Sequence, residues 1–412
     1  MASRIRDVFT ILRSGLFAHR LYARVYLGGS RAAPFALLHY VLKGEAQDAH
    51  PCAFFNPAHL RATAPHKRGN LFAAFLRGGA VLPACAQFDP AWYHARIPTA
   101  SRLSPWLHFQ KFGIPARLDP SPAISLRFIE DAYCDKPAQL PRQLYEILAR
   151  QGNNPLPPLT LAALERTQAR FRAQIELTIH RQLPQRRHRN LVFVQTAGGH
   201  PASIEHGRHY DLMLNHYAAT TAGRDADYVL TQRGTKVSAI NKILQQHPDL
   251  LLRYDHVLFL DDDVEMHAPA INELFSIMAR EQLDLAQPAL TPDSISAFPS
   301  LLTQPGGAPI RRFNTVEIMA PALSARALAR CGWVFGSGIS GYGVDLLLGS
   351  EVRAQFGNTV ALINNITARH TRPPDKQGGA FYRFMTASSI DPMAEMRVLI
   401  KKHGLTHGIR PL

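Results

Sequence analysis

Residues 254–264 read Tyr-Asp-His-Val-Leu-Phe-Leu-Asp-Asp-Asp-Val, an unbroken apolar run of four residues followed by three carboxylates. The run 257–260 suits a strand buried on both faces of a mostly parallel sheet. Adjacent carboxylates at the end of such a strand repel one another, and a hard divalent cation would relieve the repulsion. Because side chains alternate along a strand, Asp261 and Asp263 are expected on one side and Asp262 on the other, so that two carboxylates share one metal and a nucleotide. The competing reading is an acidic turn that caps the helix expected to begin near Ala268.

Around this strand the pattern alternates. Residues 191–194 read as a strand, 211–219 as a helix, 228–230 as a strand and 237–244 as a helix, which predicts an open α/β sheet. Sheets of that kind bind ligands beyond the carboxyl ends of their strands, where the aspartates lie. Further on, a short strand at 362–363 precedes His370, and Glu317 is expected in mid-strand. The segment 291–312 is rich in Pro, Gly and Ser and is long enough to serve as a lid. Asp345 follows a loop, 340–344, whose glycines let the backbone approach a ligand and whose Tyr342 offers a stacking face to a sugar.

The first part of the chain differs in charge. Residues 1–190 carry 26 Lys+Arg against 11 Asp+Glu, while the rest carries 20 of each, so the whole excess of +15 lies before the sheet. A basic surface of that kind meets anionic lipid, an acidic glycan or nucleic acid, or simply keeps the protein soluble. No reading motif for nucleic acid accompanies it, and no nucleic-acid partner is expected. Ile5, Val8, Phe9, Leu12 and Leu16 fall at helical spacing among Arg4, Arg6, Arg13 and Arg20. Such a stripe either lies in a membrane interface or packs on its own domain, and packing is expected here. No apolar run approaches the roughly 20 residues needed to span a bilayer, and no leader pattern opens the chain. The cysteines Cys52, Cys85, Cys134 and Cys331 stand singly. A reducing, cytoplasmic setting, with contact at the periphery of the inner membrane, is the expectation.

An internal repeat organises residues 20–120. The blocks 37–44, 71–78 and 106–113 align, closing on Gly44, Gly78 and Gly113, and each is preceded by an echo at 21–26, 55–60 and 88–93. Each copy predicts a short helix, then a longer apolar helix closed by its glycine as a C-cap. His39 and His108 recur in register, with Ala73 between them, and packing suits them better than metal binding. An Asn/Pro-rich loop at 151–158 follows. Leu161, Leu164, Phe171, Ile175 and Ile179 then mark one apolar face of a helix, and the arginine-rich stretch 181–189 reads as an exposed linker. The expected domains are a basic helical repeat region at 1–125, a connector at 126–189 and a sheet domain at 190–412.

The repeat blocks resemble the short helical repeats that flank bacterial exopolysaccharide glycosyltransferases, with Phe88-Asp89 and Tyr93 and then Leu107-His108-Phe109 and Gly113. A second resemblance lies in the sheet domain. Gly234-Thr235-Lys236 with Ala239 and Asn241, followed by Leu260-Asp261-Asp262-Asp263, resembles the Gly-x-Lys-x-x-Ala-x-Asn and Asp-x-Asp (DXD motif) pattern of nucleotide-sugar glycosyltransferases of the GT-A fold. Residues 252–374 also resemble a plant and bacterial family known mainly as a domain of unknown function, through Leu285-Ala286-Gln287-Pro288-Ala289-Leu290, Glu317-Ile318-Met319-Ala320-Pro321 and Gly341-Tyr342-Gly343-Val344-Asp345; that family's usual Trp is Tyr342 here. The fold implied is α/β, a GT-A-like, Rossmann-type, mostly parallel sheet behind an α-helical repeat domain.

Sugar transfer leaves negative charge on a departing nucleoside diphosphate, which Mn²⁺ or Mg²⁺ neutralises. Asp263, with Asp261, would hold the metal, and Asp261 would also meet the ribose. Lys236 and Arg233 approach base or phosphate, and Asn241 completes the motif. The resemblance implies His370 as a further ligand and Asp345 as the general base of an inverting reaction, although a single acid stands where related enzymes often carry two. Arg369 and Arg372 would grip the pyrophosphate, while Tyr342 and Glu317 meet the acceptor. The expected function is transfer of a sugar from a nucleotide-sugar donor to a glycan or lipid-linked acceptor in polysaccharide biosynthesis. The alternatives are a non-catalytic glycan-binding scaffold and a nucleotidyl or phosphoryl transferase using the same aspartates.

Overall fold

The computed structural model describes residues 2–63, 69–97, 102–149, 156–198, 207–218, 225–372 and 379–412. Two compact units divide the chain, Met1–Glu165 and Arg166–Leu412.

Among the described residues, ten strands build the sheet of the second unit: β1 (Thr178–Arg181), β2 (Asn190–Thr196), β3 (Asp211–His216), β4 (Tyr228–Thr231), β5 (His256–Asp261), β6 (Val264–Glu265), β7 (Leu285–Leu290), β8 (Ile310–Arg312), β9 (Ala322–Ser324) and β10 (Val360–His370). They lie in the order β1-β4-β3-β2-β5-β9-β7-β10-β6, with β8 also on β10. Strands β4, β3, β2 and β5 are parallel, as are β7 and β10, and β9 is wedged antiparallel between β5 and β7. From β2 the chain runs outward through β3 to β4 and then crosses back to place β5 on the other side of β2. That reversal opens a crevice at the carboxyl ends of β2 and β5, where Gln195 stands beside Asp261.

Alternating strand residues feed two cores. Val192, Val194, Leu258 and Leu260 pack with Ile271, Leu274 and Phe275 of the helix Ala268–Arg280. Leu191, Phe193, Val257 and Phe259 pack on the other face with Val237 and Ile240 of the helix Lys236–Gln246 and Leu347 of the helix Val344–Phe356. Both faces are covered, so the strands read as continuous apolar runs. The stretch expected as a helix at 211–219 is β3 for the same reason: all six residues of Asp211–His216 are buried, which an amphipathic helix does not allow. Its last expected residue, Ala219, lies outside the described residues.

The sheet also begins earlier than expected. β1 pairs antiparallel with β4, so the unit starts well before residue 190. The helix Leu161–Ala173 ends before Ile175, and Ile179 belongs to β1, so the five apolar residues of this region do not share one helical face. Nor is 181–189 a free linker. Arg186 and Arg189 pair with Asp255, Arg187 pairs with Asp227, and the amides of Arg187 and His188 donate to the buried Asp211 carboxylate. Residues 151–155 of the expected loop lie outside the described residues.

In the first unit the repeat recurs as geometry. The pairs are His19–Tyr26 with Ala36–His39, Pro57–Thr63 with Leu71–Arg77, and Pro90–His94 with Pro105–His108. In the first and third copies the second helix runs on as a turn of π-helix, Tyr40–Gly44 and Phe109–Gly113. Tyr22 hydrogen-bonds His39 Nδ1 and Tyr93 hydrogen-bonds His108 Nδ1, each at 2.9 Å. The same tyrosines account for the glycines. Gly44 and Gly113 are helical, not C-caps, and a Cβ on either would overlap the Tyr22 or Tyr93 hydroxyl. The middle glycine, Gly78, does cap its helix.

The helix Ala2–Ser14 packs through the opposite face from the one expected. Asp7 and Ile11 are buried at 2% and 0% exposure, with Asp7 accepting the Asn70 amide and pairing with Arg77 at 2.7 Å. Ile5, Phe9 and Leu12 face solvent at 54%, 58% and 49%.

Candidate active site

β5 stops at Asp261, and a turn carries Asp262 and Asp263 into β6, so strand alternation ends at the first carboxylate. The three then find different partners. Thr235 caps the helix Lys236–Gln246, its side chain accepting the Ser238 amide, which sets Lys236 as the first helical residue. The Lys236 ammonium, 7% exposed, sits 2.9 Å from Asp261 and donates to the Met319 carbonyl at 2.9 Å. Withdrawal from water outweighs mutual attraction in both partners, holding Lys236 below the usual amine range and Asp261 above the usual carboxylate range. Asp262 turns to the end of β2, accepting the Ala197 amide at 3.0 Å, with Arg372 at 3.6 Å.

Asp263 meets His370, the last residue of β10 rather than a residue beyond a short strand; its carboxylate lies 3.6 Å from Nε2. Nδ1 is 2.5 Å from the Ile295 carbonyl. A carbonyl only accepts, which assigns the Nδ1 proton and leaves Nε2 to face Asp263, as N–H in the imidazolium and as a lone pair in the neutral ring. Burial works to raise Asp263, but His370, then Arg372 and Lys236, hold it below the usual carboxylate range, and the bond to Asp263 lifts His370.

An imidazole oriented by a carbonyl and set beside a carboxylate has the chemistry of a metal-ligand pair. Among the described residues no three His, Cys, Asp or Glu side chains form a ready-made metal cluster. Asp263 and His370 could supply two ligands to an Mn²⁺ or Mg²⁺ ion, whereas Asp261 is engaged by Lys236.

Glu317 sits among these groups in an irregular stretch between β8 and β9, not in a strand. Its amide donates to Gln287 Oε1 at 2.7 Å, and its Oε2 is buried without a hydrogen-bond partner. Burial, then the charge of Asp345, lifts it to about 7 against the pull of His370 and Lys236. Asp345, 9% exposed, lies in the first turn of the helix Val344–Phe356, behind the N-cap Gly343 at φ 78°. Burial pushes its carboxyl up to about 6, although the amides of Leu346 (2.8 Å), Asp345 and Ile318 oppose the rise. The loop ahead of it is held by Glu395, 1% exposed, which accepts the amides of Ile339 (3.0 Å) and Ser340 (2.8 Å) and the Gln168 side chain (2.6 Å).

Other expected residues are placed differently. Phe381 lies near-parallel to Tyr342 and offset from it, with ring centroids 6.4 Å apart, and the Tyr342 hydroxyl bonds Tyr382. Arg233 is exposed. Asn241 packs on Gly336 and lines a cavity of about 620 Å³ with Gln168, Arg172 and Trp333. Arg369 is tied to Asp293 at 2.8 Å and Glu265 at 3.5 Å. The segment expected as a lid is packed down. Leu301 is fully buried, and Ser300 and the Thr303 amide bond the Ile409 and Leu290 carbonyls; its contribution to the site is the Ile295 carbonyl.

Two features escaped the sequence. Tyr217, just past β3 and 39% exposed, feels the charges of Asp262, Arg372, Asp263 and Asp261. Under the crevice a buried amide chain links β2, β3 and the end of β4: Gln232 to Asn215 at 3.0 Å, Asn215 to Gln195 at 2.7 Å, and Gln195 to the Gly234 carbonyl at 3.2 Å. The available signal was the pair of polar residues closing each apolar strand, Gln195-Thr196, Asn215-His216 and Thr231-Gln232.

A family model described as "Protein of unknown function (DUF707)" matches residues 204–304. No curated protein matches the sequence. Among solved structures, glucosyl-3-phosphoglycerate synthase from Mycobacterium tuberculosis, bound to Mn²⁺, UDP-glucose and phosphoglyceric acid, is 16% identical at a TM-score of 0.31, over 59% of this chain and 86% of its own. S. aureus TarS 1-349 with UDP-GlcNAc is 8% identical at 0.31, over 52% and 71%. A putative nucleotide-diphospho-sugar transferase from Desulfovibrio desulfuricans is 10% identical at 0.28, over 49% and 97%. Similarity at this level leaves the function to be argued from the residues gathered at the crevice.

Proposed function

We propose that the second unit is a metal-dependent, inverting glycosyltransferase that moves a sugar from a nucleotide-diphosphate donor to a glycan or lipid-linked acceptor in polysaccharide biosynthesis. One arrangement carries this reading. About the unpartnered Glu317 oxygen stand a buried cation bonded to a carboxylate (Lys236 and Asp261), a carboxylate held ionised beside a histidine (Asp263 and His370), and a carboxyl raised toward neutrality (Asp345). Ionised and proton-holding carboxyls pushed apart by their surroundings mark acid–base chemistry.

Lys236 anchors the donor's phosphate side while Asp261 accepts from the ribose, and Tyr217 offers its ring to the base. Asp263 and His370 would hold Mn²⁺ or Mg²⁺, which neutralises charge on the leaving diphosphate. Glu317 accepts from the acceptor hydroxyl. Asp345 takes that hydroxyl's proton as its oxygen bonds the anomeric carbon. The bond to the diphosphate breaks, and the electron pair leaves with the phosphate oxygen. The deciding experiment is Mn²⁺-dependent release of nucleoside diphosphate from a panel of nucleotide sugars. Asp263→Ala should abolish release and metal-dependent donor binding while leaving the melting temperature near wild type, because the carboxylate sits at the sheet rim. Unchanged Mn²⁺-dependent affinity in that variant would remove Asp263 from the metal site. Release of pyrophosphate instead would assign nucleotidyl transfer.

A further inference from the structure

The exposed face of the helix Ala2–Ser14 combines two properties that separately mean little. Ile5, Phe9 and Leu12 form a solvent-facing stripe at i, i+4 and i+7. The buried face of the same helix is already used, by Ile11 and by Asp7 with its Arg77 and Asn70 partners. At 100° per residue, Arg6 and Arg13 fall about 80° round from the stripe, both along one edge of it. This helix touches the π-turn Tyr40–Gly44, whose own segment exposes Phe35 (67%), Leu38 (54%) and Leu42 (46%). Within residues 2–44 there are seven basic residues, Arg4, Arg6, Arg13, Arg20, Arg24, Arg31 and Lys43, and one acid. That acid is the buried, paired Asp7, so the surface presents cations and large apolar side chains without an exposed carboxylate among them.

We propose that this face docks the protein onto an anionic phospholipid surface, with the apolar side chains entering the headgroup–acyl boundary and the guanidinium groups meeting lipid phosphates. Apolar anchors supply partitioning, and each basic side chain near such a surface adds attraction. A second copy of the chain is disfavoured as occupant, because two surfaces of the same positive sign would meet. No described helix is long and apolar enough to cross a membrane, so the contact is interfacial. The proposal is independent of the catalytic reading.

Sedimentation of the full chain with phosphatidylcholine vesicles, with and without about 30 mol% phosphatidylglycerol, tests it. Anionic vesicles should bind at least tenfold more tightly than neutral ones, and raising salt from about 0.1 to 0.5 M should weaken binding. Phe9→Glu with Leu12→Glu, and separately Arg6→Glu with Arg13→Glu, should each lower affinity at least tenfold without changing the melting temperature. Val81→Glu, at another exposed apolar position, should leave binding unchanged. Equal binding to neutral vesicles, or unchanged binding in the Phe9/Leu12 variant, overturns the proposal. So does a wild-type dimer in sedimentation velocity that this variant dissociates.

Discussion

A carboxyl enclosed as Asp345 is has two testable properties, one in catalysis and one in stability. If Asp345 is the general base of the proposed reaction, it contributes roughly 10²- to 10⁴-fold to rate and little to donor affinity, because it addresses the acceptor. Asp345→Asn is therefore expected to bind donor and metal normally and to transfer sugar slower by a factor in that range. Since the carboxyl is raised to about 6, wild-type activity should fall as pH drops through about 6, and the variant should lack that limb. Stability should move the other way. A folded-state carboxyl raised above its unfolded value binds its proton more tightly in the native state, so native stability declines as pH rises from about 4 to about 6 and stays lower above. Asp345→Asn should thus gain up to about 3 kcal/mol above pH 6 and nothing below pH 4, read from urea unfolding at both pH values. Part of this neighbourhood is legible in the sequence as proximity alone: Lys236 pairs with Asp261 and His370 with Asp263, and the charges of Asp345, His370, Asp261 and Lys236 reach Glu317. Arg233, Asn241 and Arg369 were not placed by the motif, because spacing fixes position along a helix or strand and not where each side chain finds its partner.

At the scale of elements, Gly44 and Gly113 mark where a tyrosine hydroxyl crosses a helix. Gly113→Ala forces a methyl into the space of the Tyr93 hydroxyl, and a cost of about 1–3 kcal/mol is expected. Adding Tyr93→Phe should return part of that loss while sacrificing the bond to His108, giving a measurable coupling energy in a denaturant double-mutant cycle. Independent, additive costs would mean that the glycine and tyrosine do not constrain one another. The repeat's period is readable in the sequence, yet its glycines read there as helix ends because a glycine's sequence context does not distinguish a C-cap from a close approach. The sequence of β3 reads as a helix for a related reason. Periodicity in a short apolar run does not separate a buried strand from a helix, and the neighbours β2 and β4 that decide the matter are distant in sequence.

For the whole molecule, the division at Glu165 and Arg166 changes what a truncation should do. A chain beginning at Arg166 keeps β1 and the Gln168 bond to Glu395, and is expected to retain cooperative unfolding and donor hydrolysis. If the first unit serves acceptor docking, that shorter chain should lose transfer to the natural acceptor; normal transfer would make the repeats dispensable. A chain beginning at Asn190 lacks both contacts and should melt at a lower temperature. The class of fold, a helical region followed by a mostly parallel sheet, was legible because apolar runs and glycine spacing are local properties. The domain boundary was not, because an edge strand as short as β1 is defined only by the strand it joins. Glu395 carries one more consequence. It follows Asp345 by 50 residues, and β9 likewise enters between β5 and β7 only after both have been made. At translation rates of about 5–20 residues per second, the glycine loop waits roughly 3–10 s on the ribosome for the carboxylate that holds it. Through that interval the loop ahead of Asp345 lacks its Glu395 anchor and β10 is still being added, so the crevice is completed late in biosynthesis, after β2, β3, β4 and β5 have already been laid down.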